Sequence, residues 1–442
     1  MLKEIGVSSS DELFSCIPDS ILYKQQLNLP SSMNEFQVKQ TIDRILSTNR
    51  TTNEMLSFLG AGCWPHFIPS VCNEINSRSE FVTAYTGDVY TDLGRYQALF
   101  EFQSLIGELV GLDGVGFPLY DWSTACGDAA RMAISITGRR EILVPASISP
   151  ERLSVMKAHC DMVGDFQKLP IDLESGQIDL ASLDRRITEK TAAVYIENPT
   201  YLGYIESQAE EIGNLAHDND TLFLVGVEPL SLGLLKAPGD YGADIVCGEG
   251  QPLGMPMSYG GALMGFLAFR DEEKYVEASG NRMITVTTTQ REGEHGFAYI
   301  MPERTIFCSR DKAPTFTGTA SVLWAITATV FLAALGPQGL RKLAQTIMEN
   351  SHYAMKRLSE VRNVEAPGID ATHFKEFVVR FHKTKQTVSE INKNLLSLGI
   401  IGGKDLTNEF PELGNSALFC VTEVHSENDI EKLANSLEGV LK

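Results

Sequence analysis

The sequence predicts an α/β protein, with a doubly wound, mostly parallel sheet in a large domain and a smaller α+β domain at the C-terminus. From Val115 onward, short apolar strands alternate with helical segments, which is typical of parallel sheets that carry helices on both faces. After Gly336-Pro337 the order changes to helix, strand, helix, strand, helix. We therefore predict an N-terminal arm or cap over residues 1–50, the large domain over residues 51–336 and the small domain over residues 337–442.

The elements of the large domain follow from apolar runs, for strands, and from apolar residues three or four positions apart, for helices. The predicted strands are Val115–Leu119, Glu141–Val144, Ala192–Ile196, Leu222–Val227, Asp244–Cys247 and Ala262–Phe269. The predicted helices are Arg95–Leu109, Thr124–Thr137, Pro150–Cys160, Leu180–Glu189 and Glu206–His217. The most apolar run, Ala320–Leu335, is short for a membrane span and ends at a Gly-Pro pair, so we predict a buried core helix.

The sequence predicts defined helices and strands at the C-terminal end of the chain, whereas the N-terminal end allows two interpretations. The small domain is predicted to contain helices at Leu340–Val361 and Thr387–Ser397, strands at Phe374–Phe381 and Leu418–Val421, and a last helix capped by Ser426. At the N-terminus, Asn34–Ser47 has rough helical spacing. This segment could be an arm across a partner subunit or a cap packed on its own chain, and both interpretations stay open.

The composition is that of a soluble globular protein, and it excludes some partners. The 442 residues are 43% hydrophobic and 21% charged, with a formal net charge of −20. This acidic excess argues against nucleic acids and anionic membranes, because both are bound by clustered lysine and arginine. The N-terminus has no apolar signal-peptide core, and the eight cysteines include no C-x-x-C pair. We therefore expect a cytoplasmic protein with reduced thiols and no metal site.

Polar residues follow three strands of the predicted sheet. Asn198, Glu228 and the turn from Glu249 to Gln251 each come directly after one of these strands. Because ligands bind at the carboxyl ends of the strands in such sheets, we expect these residues to share one site.

Two further candidates are less specific. His66 lies in an aromatic stretch and could be a packed core histidine or a member of the same site. Arg304, Arg310 and Lys312 form a basic cluster in an acidic chain. This cluster could be a solvated loop or a contact for a carboxylate or phosphate.

Several stretches of the chain resemble one protein family. They are MLKEIGVSSSDELF at the N-terminus, LNLP at Leu27–Pro30, SFLGAG at Ser57–Gly62, SRSEFVTAYT at Ser77–Thr86, QALFEFQSLIGELVGLD at Gln97–Asp113, ENPTYLGYIE at Glu197–Glu206, PLSLGLLKAPGDYGADIVCGEGQPLG at Pro229–Gly254, GPQGL at Gly336–Leu340 and PELGNSALFCVTE at Pro411–Glu423. Together they span nearly the whole chain. They resemble the P-protein of the glycine cleavage system, specifically subunit 1 of its two-chain form.

The resemblance implies the fold of type I pyridoxal-phosphate transferases, which is that of aspartate aminotransferase. It also implies a complex that decarboxylates glycine and passes the aminomethyl group to the lipoyl arm of H-protein, with the cofactor lysine supplied by subunit 2. Here Gln251 stands at the lysine position, and no lysine occurs between Lys236 and Lys274. Because only an amine condenses with the cofactor aldehyde, we expect no covalently bound cofactor and no catalytic residue in this chain.

Other positions of the family's cofactor site are also changed. The resemblance places Glu228 where an acidic residue pairs with the pyridine nitrogen, and it places Ser123-Thr124-Ala125 at the turn that holds the phosphate and stacks on the ring. Trp122 replaces a glycine, Pro65 replaces an aspartate, and Pro314 follows the altered basic cluster. The predicted site is therefore a vestigial pocket formed by His66, Ser123, Thr124, Asn198, Glu228, Glu249, Gln251, Arg304, Arg310 and Lys312.

These changes leave two alternatives to a two-chain glycine decarboxylase. The chain could be a diverged, non-catalytic paralogue that assembles with or regulates a cofactor-bearing partner acting on another small amino acid. It could also be an independent pyridoxal-phosphate enzyme that uses Lys236 or Lys312, although neither lysine directly follows the Asp244–Cys247 strand.

Overall fold

The computed structural model of the chain describes residues 1–52, 54–82, 95–300, 313, 315, 317–318 and 320–442. These residues separate into two units, Met1–Glu54 and Met55–Lys442. The helices are α1 Leu2–Ile5, α2 Glu35–Leu46, α3 Ser70–Asn76, α4 Ser79–Val82, α5 Tyr96–Val110, α6 Trp122–Thr137, α7 Pro150–His159, α8 Leu180–Arg186, α9 Ala209–His217, α10 Glu273–Ala278, α11 Val322–Ser359, α12 Val388–Ser397 and α13 Glu427–Val440. Short 3₁₀ turns occur at Ser10–Phe14, Pro229–Gly233, Pro238–Tyr241, Ser258–Gly260 and Pro411–Leu413.

The strands form one large sheet, one small sheet and two short pairs. They are β1 Leu56–Ser57, β2 Gly114–Val115, β3 Glu141–Pro145, β4 Asp165–Leu169, β5 Thr191–Glu197, β6 Leu222–Val227, β7 Ile245–Glu249, β8 Gly265–Phe269, β9 Ile284–Thr288, β10 His295–Tyr299, β11 Val364–Glu365, β12 Glu376–Phe381, β13 Ile400–Ile401, β14 Lys404–Asp405 and β15 Ser416–Cys420.

The large sheet has seven strands in the order β2-β8-β7-β6-β5-β3-β4. Strand β8 is antiparallel to both of its neighbours, and every other pair is parallel. All residues of β5, β6 and β7 are buried, because parallel sheets are covered on both faces. This topology confirms the predicted doubly wound α/β fold.

Several predicted strands begin or end at other residues in the structure. For the predicted strand Val115–Leu119, regular pairing with β8 is confined to Gly114–Val115, and an isolated bridge follows at Leu119. Between them, Phe117 N donates to the carbonyl of Arg282 and not to β8. Strand β7 extends two residues past the predicted Cys247, so that Glu249 ends the strand rather than lying in the turn. Strand β4 was missed because its side chains are mostly exposed and polar, as on many edge strands.

Among the described residues, one helix is long and apolar enough to cross a membrane by length and composition alone. This helix, α11, is interrupted at Gly336, which has a φ of 59° and a ψ of 178°, and Pro337 follows. It thus joins the two helices predicted on either side of the Gly-Pro pair. Its first half buries Ala325, Ile326 and Phe331 in the core, as predicted for Ala320–Leu335.

The C-terminal part of the larger unit contains an antiparallel sheet in the order β11-β12-β15-β14. One face of this sheet packs with the end of α11 and with α12 and α13 in one apolar cluster, and residues of the other face belong to a second cluster. Ser426 caps α13 in a capping box with Asp429, as the sequence predicts. Strand β1 pairs in parallel with β13, so the chain near Leu56 is hydrogen-bonded to this C-terminal part. The division at residues 336 and 337 stays a prediction.

Candidate functional site

The candidate site lies at the carboxyl ends of β5, β6 and β7. Asn198 follows β5, Glu228 follows β6, Glu249 ends β7 and Gln251 lies two residues further on. Because these strands are neighbours and parallel, their ends meet at one edge of the sheet. Strand β12 and the residues before it, from the C-terminal part, contribute further side chains there.

The side-chain amide of Gln251 forms hydrogen bonds with two segments of backbone. Its Oε1 accepts a hydrogen bond from Trp64 N at 3.1 Å, and its Nε2 donates to Trp64 O at 3.1 Å and to Met255 O at 3.0 Å. The side chain is buried, with 1% of its surface exposed. Gln251, which the sequence resemblance places at the lysine position, therefore bridges two segments of backbone.

Two carboxylates occupy the N-terminus of α6. Glu249 Oε2 accepts from Trp122 N at 3.1 Å, and Asp121 Oδ1 accepts from Thr124 N at 2.6 Å. Glu249 Oε1 also accepts from the backbone of Gln251 and Met264. Burial raises the pKa of Glu249 to about 8, against the opposing effect of these three N–H groups. Two N–H groups at this helix end are thus already bound to carboxyl groups of the protein itself.

Glu228 is paired with a lysine from the C-terminal part of the chain. Lys375 Nζ lies 2.8 Å from Glu228 Oε1, and Glu228 Oε2 accepts from Ser231 N at 2.9 Å. The ammonium group also lies 3.8 Å from the centre of the Trp64 ring, in a cation–π contact. Both charged side chains are almost fully buried.

His66 extends this charged network. Lys375 Nζ lies 3.1 Å from His66 Nε2, and His66 Nδ1 lies 2.8 Å from Glu423 Oε2. An ammonium group can only donate, so these partners assign the proton of a neutral imidazole to Nδ1. Burial, and then the charge of Lys375, lower the pKa of His66. His66 is therefore a neutral, packed histidine that joins Lys375 to Glu423.

A second buried ion pair lies beside Trp122. Arg152 binds Glu197 through two hydrogen bonds, Nε to Oε1 at 2.6 Å and Nη2 to Oε2 at 2.8 Å. The guanidinium group lies 4.0 Å from the centre of the Trp122 ring. Tyr195 OH donates to Glu197 Oε1 at 3.0 Å. Such a bidentate, stacked arrangement fixes both the arginine and the indole ring.

The space left between these groups is small. A cavity of about 20 Å³ is lined by residues that include Trp64, Trp122, Arg152, Glu228 and Lys375. This is room for about one water molecule. The cleft that the topology places at this edge of the sheet is therefore filled by side chains of the chain itself.

The other predicted residues have different surroundings. Ser123 and Thr124 are buried in the first turn of α6, and Thr124 lines a separate cavity of about 310 Å³. Asn198 is buried and donates from Nδ2 to the carbonyl of Glu206 at 3.2 Å. Arg304, Arg310, Lys312 and Pro314 lie outside the described residues.

Comparisons with known proteins agree over the whole chain. Residues 1–437 match the family model described as glycine cleavage system P-protein. The chain is 40% identical to the probable glycine dehydrogenase (decarboxylating) subunit 1 of Thermococcus onnurineus, covering 100% of this chain and 97% of the relative. It is 38% identical to the protein of the same name from Desulfitobacterium hafniense, covering 98% and 95%. The chain belongs to the glycine cleavage system P-protein family.

Solved structures agree with this membership. A crystal structure of glycine decarboxylase (P-protein) of the glycine cleavage system, in inhibitor-bound form, superimposes with a TM-score of 0.88 at 33% identity and covers 100% of this chain and 97% of that chain. A Burkholderia pseudomallei sphingosine-1-phosphate lyase shares the fold with a TM-score of 0.68 at 13% identity. The fold is type I of the pyridoxal-phosphate enzymes.

The residues of this P-protein chain do not fit that cofactor. Gln251 offers no amine, and the carboxylate of Glu228 is already paired with Lys375. The first turn of α6, which would receive a phosphate, faces Asp121 and Glu249 instead. Lys375 itself cannot serve as the missing amine, because it lies at the Glu228 end of the cleft, whereas a cofactor aldehyde lies on the opposite side of the ring from the pyridine nitrogen. Lys236, considered earlier as a substitute, is exposed and pairs with Glu210.

Sequence reasoning missed the residues that close the cleft. Lys375 and Arg152 were not predicted, although each makes a buried ion pair there. For Lys375 a signal existed, since Lys375 and Glu376 interrupt the apolar strand predicted at Phe374–Phe381. For Arg152, in a helix with polar neighbours, the sequence carries no such signal.

Proposed function

We infer that this chain is the cofactor-free subunit of a two-chain glycine dehydrogenase (decarboxylating). The complex would convert glycine and the lipoyl group of H-protein into CO2 and aminomethyl-dihydrolipoyl H-protein. The observation that carries this proposal is the closed cleft around Gln251 and Lys375, in a chain whose relatives over its full length are named subunit 1. A subunit of that complex that holds no cofactor requires a partner that does.

The partner would be subunit 2, which supplies the lysine that binds pyridoxal phosphate. Within this chain, the buried ion pairs of Lys375 with Glu228 and of Arg152 with Glu197 occupy the cleft. In this proposal the chain contributes to the reaction by assembly with subunit 2, and alone it is inactive. Further elements of the proposal are lipoylated H-protein as second partner, no nucleic acid or membrane partner, and a cytoplasmic location.

The test is the exchange of labelled CO2 into glycine. The chain is co-expressed with subunit 2, the complex is purified, and exchange is measured with lipoylated H-protein for the complex, for subunit 2 alone and for this chain alone. We expect exchange only when both chains are present. A surface variant such as Lys236→Met serves as a control and should leave the exchange rate unchanged, because Lys236 is exposed.

Two results would contradict the proposal. Full exchange by subunit 2 alone would show that this chain is dispensable for the reaction. A stable complex without exchange would favour the alternative of a diverged paralogue, in which Trp122 marks a cleft that no longer belongs to a glycine enzyme. A screen of other small amino acids with that complex would then identify its substrate.

A further inference from the structure

The N-terminal segment, residues 1–54, carries more than half of the large apolar side chains that are exposed in the described part of the chain. Among the described residues, 27 large apolar side chains are exposed, and 16 of them lie between Met1 and Leu46. No helix in this segment has a buried residue. Single exposed apolar residues are ordinary on a protein surface, but a concentration of this kind marks an interaction site.

Helix α2 carries one part of this surface as a continuous stripe. Val38, Ile42, Ile45 and Leu46 follow the i, i+4, i+7, i+8 spacing that places side chains on one face of a helix. All four are exposed. Gln40 lies on the opposite face. Such an amphipathic helix normally covers its apolar face with another part of a protein.

The same helix has its own start signal. Asn34 Oδ1 accepts from Gln37 N at 2.9 Å, and Gln37 Oε1 accepts from Asn34 N at 3.0 Å, which completes a capping box. The helix is therefore specified locally although it buries no side chain. This combination of a defined helix with an uncovered apolar face indicates a preformed binding element.

The segment that leads into α2 adds a second part. Ile21, Tyr23, Leu27, Leu29 and Met33 are all exposed, with Ile21 at 73% and Leu29 at 71%. Leu27 and Leu29 alternate with polar Asn28 in a stretch without regular secondary structure. An extended chain of this kind can lie along a partner surface.

The size of this surface fits a stable subunit interface. If each of the ten exposed apolar side chains between Ile21 and Leu46 loses about 60–100 Å² on binding, this stretch buries roughly 600–1,000 Å². A standard protein–protein interface buries about 800 Å² on each partner, and permanent complexes bury more. Residues 21–46 alone therefore offer about as much apolar area as one side of a standard interface.

Either a second copy of this chain or subunit 2 could cover this apolar surface, and the net charge of the chain favours subunit 2. A second copy of this chain carries the same net charge of −20, and like charges oppose association. We propose that residues 21–46 dock on subunit 2 of the glycine dehydrogenase complex, with the stripe Val38, Ile42, Ile45 and Leu46 packed on an apolar surface of that subunit. This inference rests on the proposed function, which supplies the partner.

The experiment compares two variants of the full chain that each add one lysine to α2. Ile42→Lys places the charge in the stripe, and Gln40→Lys places it on the opposite face of the same helix. Lysine favours helices at least as well as isoleucine or glutamine, so neither variant should unfold α2. Binding of each purified chain to purified subunit 2 is measured by surface plasmon resonance, together with its thermal midpoint and its sedimentation coefficient alone.

We expect Ile42→Lys to weaken binding to subunit 2 by about 10- to 100-fold, the usual cost of a lost apolar anchor and a buried charge at an interface. Gln40→Lys should change binding less than about threefold. Both chains alone should keep the thermal midpoint of the unmodified chain, because neither position is buried in it.

Three results would overturn the inference. Equal binding by the unmodified chain and by Ile42→Lys would show that subunit 2 does not cover the stripe. A lower thermal midpoint for Ile42→Lys alone would show that the helix is a cap on its own chain. Loss of a self-associated species would assign the stripe to a second copy. By contrast, if even the unmodified chain does not bind subunit 2, the proposed function fails first, so the two failures are distinct.

Discussion

The ammonium group of Lys375 lies 2.8 Å from the carboxylate of Glu228 and 3.8 Å from the centre of the Trp64 ring. Glu228 follows β6 of the large sheet, whereas Lys375 precedes β12 of the C-terminal sheet. The pair therefore joins two parts of the larger unit across the cleft. It also places a cation of the protein at the position that the family resemblance assigns to the pyridine nitrogen of the cofactor.

Removing this lysine should destabilise the chain strongly. Lys375→Met leaves the Glu228 carboxylate buried without its counter-ion, which typically costs about 3–5 kcal/mol. The second variant Glu228→Gln, added to Lys375→Met, should recover part of that loss, because no buried charge remains. The control Lys236→Met breaks an exposed ion pair and should cost less than about 1 kcal/mol. Urea unfolding of the four chains measures these differences, and equal midpoints for Lys375→Met and Lys236→Met would contradict the assignment.

The approach of β12 to the loop after β5 depends on Gly203. This residue has a φ of +92°, and a Cβ atom there would lie 1.9 Å from the carbonyl oxygen of Glu376. Gly203→Ala should therefore cost more than about 3 kcal/mol in unfolding free energy and open the cleft. Gly138 also has a positive φ but open space around it, so Gly138→Ala should cost only about 1 kcal/mol. Similar losses for both variants would mean that backbone strain, and not close packing, explains the glycine.

Acid should destabilise the protein through His66. Its pKa is lowered in the folded chain, so the unfolded state binds more protons below pH 6.5 and stability falls as the pH decreases. His66→Gln removes this titration. The stability of the unmodified chain relative to the variant should therefore rise between pH 5 and pH 6.5, by at most about 1.4 kcal/mol per pH unit, and level off above pH 7. A difference that does not depend on pH would show that His66 is not held neutral.

The same experiment must separate His66 from Glu249, which titrates in the opposite sense. Burial raises the pKa of Glu249 to about 8, so its contribution to stability is present below pH 4.5 and is lost as the pH rises to 8. Because this contribution is common to the unmodified chain and to His66→Gln, it cancels in their difference.

Restoring a lysine at position 251 should not restore cofactor binding. Gln251→Lys places an ammonium group in a buried site and removes the acceptor of Trp64 N. The cavity nearby holds about one water, and Glu228 stays paired with Lys375. We expect no visible absorbance band of a pyridoxal-phosphate Schiff base after incubation with the cofactor. A band that borohydride abolishes would show that the missing amine alone prevents binding.

The sequence predicted the centre of the fold because buried parallel strands leave a simple pattern. Strands β5 and β6 are continuous apolar runs, and the polar residues after them were expected at one edge from topology alone. Strand β4 and the pair of β9 and β10 were missed, since most of their side chains are exposed or only partly buried and show no apolar run.

The closure of the cleft could not be predicted from the sequence. Glu228 and Lys375 are 147 positions apart, and their pairing depends on how two sheets pack. The break that Lys375 and Glu376 make in the apolar run marks the position, but a lysine at the start of a strand is usually a surface residue, so the break indicates neither burial nor a partner. The changed residues Trp122 and Gln251 indicated a vestigial cofactor pocket. Their neighbours in the sequence do not show which side chains fill it.

The measurement that tests this account most directly is the amount of pyridoxal phosphate bound by each species. The isolated chain, isolated subunit 2 and their purified complex are each saturated with the cofactor and desalted, and the released pyridoxal phosphate is counted per polypeptide. The closed cleft predicts none on the isolated chain and one for each pair of subunits in the complex. One cofactor on the isolated chain, or two for each pair, would contradict it.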